Sequence, residues 1–556
     1  MIATNTYFTK GIELLTNAAL MSGDEALAWA AIDSCVRIAS AYPGTPATDV
    51  QEALETHADL TQLRCIWSIN EKVAYETGLA AAIAGQRAIV SMKQVGLNVA
   101  ADAFMNSCPA GVNSGLMLVV GDDPECHSSQ NKQDTRFYQA MSGTILLEPA
   151  DPQEAYDMAR EAFRISERFR LPVILRLTTR TAHACAPVER SPRDVFKKES
   201  VWPKEPSRFF IVPTVSRRLF LRLAQLQKEM EGYLSTCRYL VRTDASGPGR
   251  RLGILCTGIG YAFAREVMPD GAGMLKVPGE PFPDTVIQAF VNAHDEILVL
   301  EEGDPILERR ARAFASERTR IKGRLTGELK RIGELQRNEI IGAFSRDARP
   351  APKRPMAPLP PRLPEICKPC GYHKVFGALK RMEGLATPSD IGCNSLGGLP
   401  PYEVMDGVWA MGSSLGIACG LAAVGHKRIV AIIGDSTFFH AGIPPLIEAV
   451  HEGYNLTVLL LDNGTAAMTG GQSVAHRSRT AIQNSVDLVK VINAIGATRC
   501  TVFDPHKLGE EGIRDLIEVS FMEPGVKVLL YRSQCGIYTP GYGSVPSIAS
   551  TALVNH

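Results

Sequence analysis

Apolar positions along the chain fall into two alternating rhythms. Short continuous runs, among them Arg87-Ala-Ile-Val-Ser91, Leu116-Met-Leu-Val-Val120 and Leu171-Pro-Val-Ile-Leu175, have the length and composition of strands buried on both faces. Ala-rich stretches suited to helices separate them, which is the alternation a parallel sheet with crossover helices requires. This first α/β block is expected over residues 1–195. A mixed, charged and Pro-bearing stretch follows. A middle α/β block is then expected over 205–345, with strands at Leu252–Cys256 and Glu296–Leu300. The prolines of 346–364 favour an extended, semi-rigid linker. The last block, 365–556, repeats the architecture of the first.

Within that last block, Ile429–Ile433 reads as a doubly buried strand that delivers Gly434-Asp435 at its C-terminal end. A helix around Pro444–Glu452 leads to a second apolar run, Leu456–Leu461, which empties into Asp462-Asn463-Gly464. Asp435 and Asn463 stand 28 positions apart, the separation of two consecutive parallel strands joined by a crossover helix. Both then meet at one sheet edge, where ligands of parallel α/β sheets bind. One carboxylate and one amide oxygen suit Mg2+, a hard cation that commonly keeps diphosphate oxygens among its ligands; a backbone carbonyl near Thr465 is the expected third protein ligand. Turn-forming preference alone also puts Gly-Asp and Asn-Gly after strands. The order and separation, however, match the GD and N signature of thiamine diphosphate enzymes.

Composition narrows the class. The chain has 556 residues, 45% hydrophobic and 21% charged, and its 59 basic residues balance 59 acidic ones, so charge gives no reason to expect nucleic acid or an anionic membrane as partner. No apolar run reaches the roughly 18 residues of a membrane span. The first residues lack a secretory pattern, and the expected location is cytoplasmic. Thirteen cysteines, an odd and scattered set, then read as reduced thiols or cluster ligands rather than a disulfide framework.

A thiamine enzyme needs two related α/β domains, one of the diphosphate type and one of the pyrimidine type. The first block should therefore supply a glutamate. Glu71, in Trp67-Ser-Ile-Asn-Glu-Lys-Val-Ala74 at an expected strand-to-helix junction, is the candidate. A carboxyl group hydrogen-bonded to N1′ of the aminopyrimidine promotes the tautomer that deprotonates the thiazolium. A glutamate complementing the helix dipole is the commoner meaning of such a residue in isolation.

Taken in order, Ala41-Tyr-Pro-Gly-Thr-Pro46, Ser68-Ile-Asn-Glu-Lys-Val73, Met92-Lys-Gln-Val-Gly-Leu-Asn-Val-Ala-Ala101, Asp123-Pro-Glu-Cys-His-Ser-Ser-Gln-Asn131, Leu177-Thr-Thr-Arg180, Asp390-Ile-Gly-Cys-Asn-Ser-Leu-Gly397 and Gly434-Asp-Ser-Thr-Phe-Phe-His440 are shared words. With them the chain resembles the large subunits of indolepyruvate ferredoxin oxidoreductase, in the 2-oxoacid:ferredoxin oxidoreductase superfamily. The resemblance implies oxidative decarboxylation of a 2-oxoacid, such as indolepyruvate or phenylpyruvate, to an acyl-CoA. By the same resemblance Thr45 faces cofactor and substrate; Lys93 and His127, in other shared words, either bind the substrate carboxylate or shuttle a proton, or are a surface lysine and a loop histidine. Gly434, Asp435, Ser436, Asn463, Thr465, Met468 and Glu71 form the expected cofactor set, with Mg2+ on Asp435, Asn463 and Thr465.

The cysteines add a second signal. Cys367-Lys-Pro-Cys370 can place two thiolates on one metal or cluster, Cys393 follows in a Gly-Cys turn, and Cys535 lies beyond the apolar run Val526–Tyr531. The resemblance implies a [4Fe-4S] cluster on these four; zinc on the same sulfurs is the rival, and burial as small hydrophobes the bland reading. Two departures stand out. The word expected as Cys-Pro-Gly-Cys-Pro-His-Arg is here Cys367-Lys-Pro-Cys-Gly-Tyr-His373, which alters the cluster's surroundings. The compared large subunits usually continue into a cysteine-rich ferredoxin-like domain, whereas no cysteine follows Cys535, so the electrons are expected to reach ferredoxin or another carrier by a different route. The resemblance also implies a smaller, gamma-type subunit and a heterotetramer with dimerised large subunits. Two alternatives use the same fold: a non-oxidative thiamine diphosphate decarboxylase or ligase, and a non-catalytic partner subunit. Intact Glu71, Asp435 and Asn463 argue against the last.

Overall fold

The computed structural model describes residues 18–58, 62–196, 198–246, 251–344, 364–477 and 484–538. The proline-rich stretch up to residue 363 and the C-terminal residues from 539 lie outside the described residues. The chain divides into two compact units, Met1–Pro355 and Met356–His556.

The first unit is built on a seven-stranded sheet. Its strands run in the order Gly279–Glu280, Ile145–Leu147, Val173–Thr178, Leu116–Asp122, Ala88–Lys93, Ile38–Ala41 and Arg64–Trp67. All pairs are parallel except the edge Gly279–Glu280. Ala88–Lys93, Leu116–Asp122 and Val173–Thr178 are buried along their whole length, because helices cover both faces. Leu223, Met230 and Leu234, from the long helix Pro213–Thr236, join the core of this sheet.

A second sheet of the same unit orders Arg320–Lys322, Glu296–Leu300, Leu252–Cys256, Gly273–Lys276 and Val241–Thr243. It is fastened to the first by the edge strand Gly279–Glu280 and by buried charge. Arg136, fully buried, reaches Asp134 (2.7 Å), Glu301 (2.6 Å) and the carbonyls of Glu302 and Asp304. Arg176, equally buried, reaches Asp122 (2.6 Å), Glu148 and the Glu302 carbonyl. Each guanidinium is thus paired with carboxylates and also donates to backbone oxygens, the condition under which buried charge is tolerated.

The second unit holds a wholly parallel six-stranded sheet in the order Gly407–Val408, Pro388–Ser389, Val430–Gly434, Leu456–Asp462, Val526–Arg532 and Arg499–Phe503. Gly434 pairs in register with Leu461, so the turns that follow the two strands leave the sheet side by side. The crossover helix is Ile443–His451. Among the described residues no helix is long and apolar enough to cross a membrane.

Candidate active site

In the second unit, four neighbouring parallel strands end at one edge and each delivers a chemically informative turn. Val430–Gly434 delivers Asp435, and Leu456–Asp462 delivers Asn463. Pro388–Ser389 delivers Asp390 and Cys393, and Val526–Arg532 delivers Cys535. Asp435 is buried; its carboxylate accepts the N–H of Ser436 (2.8 Å) and of Gly464 (2.9 Å). Gly464 sits at φ +75°, a left-handed turn that favours glycine and aims this N–H back at Asp435. The Asn463 amide oxygen accepts the Thr465 N–H (3.0 Å), and the Thr465 hydroxyl donates to the Gln472 carbonyl (3.0 Å). Ser436 is half-buried beside Asp435, and Met468 is exposed on a short 3-10 turn, Ala467–Thr469.

Sequence reasoning passed over two partners of these turns. Nε2 of His476 lies 2.9 Å from Asp462 Oδ1 and 3.4 Å from Asp435 Oδ2, and Arg532 Nε lies 3.1 Å from Asp462 Oδ2. Phe439 stacks on the imidazole with ring planes 17° apart. Burial and then the adjacent Asp462 push the Asp435 carboxyl up to about 7, while His476 pulls the other way. Two buried carboxylates side by side with an amide oxygen form a donor set suited to a hard divalent cation. A Cβ built on Gly434 would meet only Asn394 Oδ1, at 3.7 Å, which leaves room for phosphate oxygens against the backbone. The residues present therefore fit magnesium diphosphate.

The cysteine turns are stitched to the same edge. The Cys535 N–H donates to the Asn463 carbonyl (3.0 Å), and the Thr437 hydroxyl donates to the Ile391 carbonyl (3.1 Å), two residues before Cys393. Gly536 packs against Pro369 of the Cys367–Cys370 turn. Burial raises the Cys370 thiol to about 11, helped by Cys535 and Cys367. It raises Cys393 to about 12, helped by Cys370, Cys535 and Cys367. Cys393 thus feels all three of the other cysteines and Cys370 feels two of them, a crowding that a cluster cation would relieve by holding them as thiolates.

In the first unit, Glu71 opens the helix Glu71–Ile83 and is only 6% exposed. Asn70 caps that helix by accepting the Val73 N–H (2.9 Å). Glu71 packs against the backbone of Gly96, in the first turn of Gln94–Ala110; a Cβ there would stand 2.5 Å from Glu71 Oε1. Gln94 of that turn donates to Ser129 (3.1 Å), and Ser129 donates to Asp123 (2.7 Å). Asp123 also accepts the N–H groups of His127 (2.9 Å) and Ser128 (2.8 Å). Burial would raise Asp123, but these donors hold it below the usual carboxylate range. Lys93 Nζ donates to the Ser128 carbonyl (2.7 Å), and the Ser128 hydroxyl donates to the Thr45 carbonyl (3.3 Å). Burial draws the Lys93 ammonium down to about 8 against the pull of Asp123. Thr45, Lys93 and the His127 loop thus form one hydrogen-bonded group, with Glu71 joined to it through Gly96 and Gln94. His127 and Arg180 both reach Glu334, at 3.2 and 2.7 Å. Asp123, Gly96 and Glu334 were not singled out from sequence, although Asp123 and Gly96 stand inside the shared words.

Gly96→Ala is expected to displace the Glu71 carboxyl and lower kcat by about 10²-fold, the scale of a misplacement near 1 Å. Alanine's better helix propensity, about 1 kcal/mol, should keep the melting temperature near the parent's. Steady-state kinetics beside thermal melts test this; an unchanged kcat would break the link between Gly96 and Glu71.

Two domain families match the chain: "Pyruvate flavodoxin/ferredoxin oxidoreductase, thiamine diP-bdg" over residues 29–230 and "Thiamine pyrophosphate enzyme, C-terminal TPP binding domain" over 390–529. Indolepyruvate oxidoreductase subunit IorA of Methanothermobacter thermautotrophicus is 38% identical over 470 residues, covering 81% of this chain and 76% of its own. The chain belongs to that family. The subunit of the same name from Thermococcus kodakarensis is 33% identical over 565 residues, covering 94% of this chain and 86% of its own. A 2-oxoglutarate synthase subunit KorB of Methanocaldococcus jannaschii is 31% identical over 200 residues, 32% of this chain and 72% of its own. Membership identifies a thiamine diphosphate-binding oxidoreductase subunit with the multidomain α/β architecture described above.

Proposed function

We propose that this chain is the catalytic subunit of a heteromeric enzyme that oxidatively decarboxylates an arylpyruvate, such as indolepyruvate or phenylpyruvate, to the acyl-CoA. Bound thiamine diphosphate would supply a nucleophilic carbon for the keto group, and a [4Fe-4S] cluster would supply a one-electron relay to ferredoxin or another carrier. Asp435 and Asn463, with a carbonyl near Thr465, hold Mg2+ and through it the diphosphate; Gly434 and Ser436 offer it backbone, and Met468 completes the set. Glu71 holds a proton at N1′ of the aminopyrimidine, from the same chain or from a second copy. Thr45 orients the substrate, and Lys93 and His127 bind its carboxylate or move a proton. A smaller gamma-type subunit completes the assembly, with the large subunits dimerised.

The observation that carries this reading is the shared edge of the second unit. The cysteine turns and the diphosphate turns are joined there by single hydrogen bonds, Cys535 to Asn463 and Thr437 to Ile391. The residues that would hold the diphosphate and those that would hold the cluster are thus linked by single hydrogen bonds. Iron and sulfide without zinc would distinguish the cluster from zinc on the same four sulfurs.

Anaerobic purification with any co-purifying partner, followed by iron, sulfide and zinc assays, tests the proposal. The expected result is a [4Fe-4S] complement whose visible absorption bleaches when an arylpyruvate is added with thiamine diphosphate, Mg2+ and CoA. Cys393→Ala and Cys535→Ala should each lose most of that iron and the bleaching. Iron-free protein that still decarboxylates would replace the oxidoreductase by the non-oxidative lyase.

A further inference from the structure

Outside the residues assigned to the candidate active site, the first unit contains a buried acid with no counterpart among the described residues. Asp24 is 0% exposed, and among the described residues neither carboxylate oxygen has a hydrogen-bond partner. It stands in the first turn of Gly23–Asp33, where the cap is already complete: Ser22 accepts the Glu25 N–H, and Glu25 accepts the Ser22 N–H. Helix capping therefore does not account for it. Burial, then Asp49, then Glu25 drive the Asp24 carboxyl well above the ordinary range. An unpaired buried carboxylate is among the costliest arrangements in a protein interior.

What surrounds Asp24 suggests its use. Asp49, in the first turn of Thr48–His57, and His183, the last residue of Thr179–His183, each bring a ligand atom so that all three lie within 4.8 Å of one another. Asp49 and His183 are exposed, so the group opens to solvent on one side. The approach is built into the backbone: a Cβ on Gly23 would stand 2.1 Å from the Thr181 carbonyl oxygen, so only glycine lets the Asp24 turn reach the Thr179–His183 helix. Ligands about 2.1 Å from a common ion sit at most about 4.2 Å apart, so a small inward movement completes the set.

We propose that Asp24, Asp49 and His183 form a site for a divalent transition-metal ion, Mn2+ or Zn2+, separate from the magnesium diphosphate site. Two carboxylates neutralise the dication, and the imidazole selects against Mg2+ and Ca2+, which prefer all-oxygen sets. The ion ties together three helices that are far apart in sequence. One of them, Thr48–His57, starts directly after the Tyr42–Ala47 turn that carries Thr45, and Thr48 accepts the Gly44 N–H (2.8 Å) from that turn. The ion thus fastens the base of the turn. The inference does not depend on the reaction proposed above.

The test uses the full chain as purified, with Asp435→Asn as background to remove the proposed magnesium site. Protein is stripped with chelator, equilibrated with Mn2+ or Zn2+ in separate arms, desalted, and its metal counted by mass spectrometry beside thermal melts. One extra equivalent of one of the two ions, with a higher melting temperature, is expected. Both should vanish in the Asp49→Asn/His183→Gln double variant, whose changes are on exposed side chains, and in Asp24→Asn. Equal metal content in parent and variants, or no retained ion in either arm, would overturn the proposal. An Asp24→Asn protein that keeps its ion would do so as well.

Discussion

Glu71→Gln is expected to lower kcat by about 10²- to 10⁴-fold, the range of a lost general acid–base contribution, while thiamine diphosphate still binds. The amide keeps the shape of the side chain, so the contact with Gly96 survives and the fold is not challenged. What it loses is a carboxyl that can hold a proton at N1′. The decisive comparison sets kcat against cofactor affinity from titration calorimetry. A fall in kcat alone fits the proposed role. A protein that loses cofactor but turns over normally once saturated would make Glu71 a binding residue, and full activity would remove it from the mechanism.

Asp435→Asn is expected to act with opposite sign on cofactor binding and on apoprotein stability. Changing partners of metal ligands typically costs about 10- to 100-fold in affinity, and loss of the ligand itself should exceed that, so Mg2+-dependent thiamine diphosphate binding should fall by more than about 100-fold. The apoprotein should meanwhile become more stable. The folded-state carboxyl is raised, to about 7, above its unfolded value near 4, because burial and Asp462 disfavour its charge. Between those values the folded state binds more protons than the unfolded one, so this group's contribution to stability falls as pH rises from about 4 to about 7. Asparagine carries no charge there. The variant's melting temperature should therefore exceed the parent's at pH 8 without cofactor, and the gap should narrow as pH falls towards 4. Calorimetric scans across that window with and without Mg2+ and thiamine diphosphate check both halves. A variant that is less stable at every pH would mean that the Ser436 and Gly464 hydrogen bonds outweigh the like-charge burial.

Asp435 and Glu71 are readable from the sequence in different degrees. Asp435 and Asn463 could be placed because each follows an unbroken apolar run, and such runs mark strands covered on both faces whatever the rest of the fold does. The structure sets those strands side by side and begins the crossover helix at Ile443, close to where its pattern first stands out. Glu71 could be placed at the start of a helix, but nothing local fixes what its carboxyl touches. Gly96, 25 positions later, does that by lacking a side chain.

The rest was decided by neighbours that are distant in sequence. His127 meets Glu334 across 207 positions, and His476 closes on Asp462 only because the chain after Gly464 folds back over the strand ends. Leu223, Met230 and Leu234 lie beyond the stretch that seemed to close the first block, yet they pack in its core. The sequence by itself determined strand and helix rhythm, the two thiamine-type α/β blocks and the turns that carry ligand-bearing residues, because burial and turn preference act over a few residues. Only the tertiary structure decided which of those turns share a sheet edge, which carboxylates lie unpaired, and which glycine clears space for Glu71. Those outcomes depend on strand order and helix docking, which join residues whose local patterns carry no record of one another.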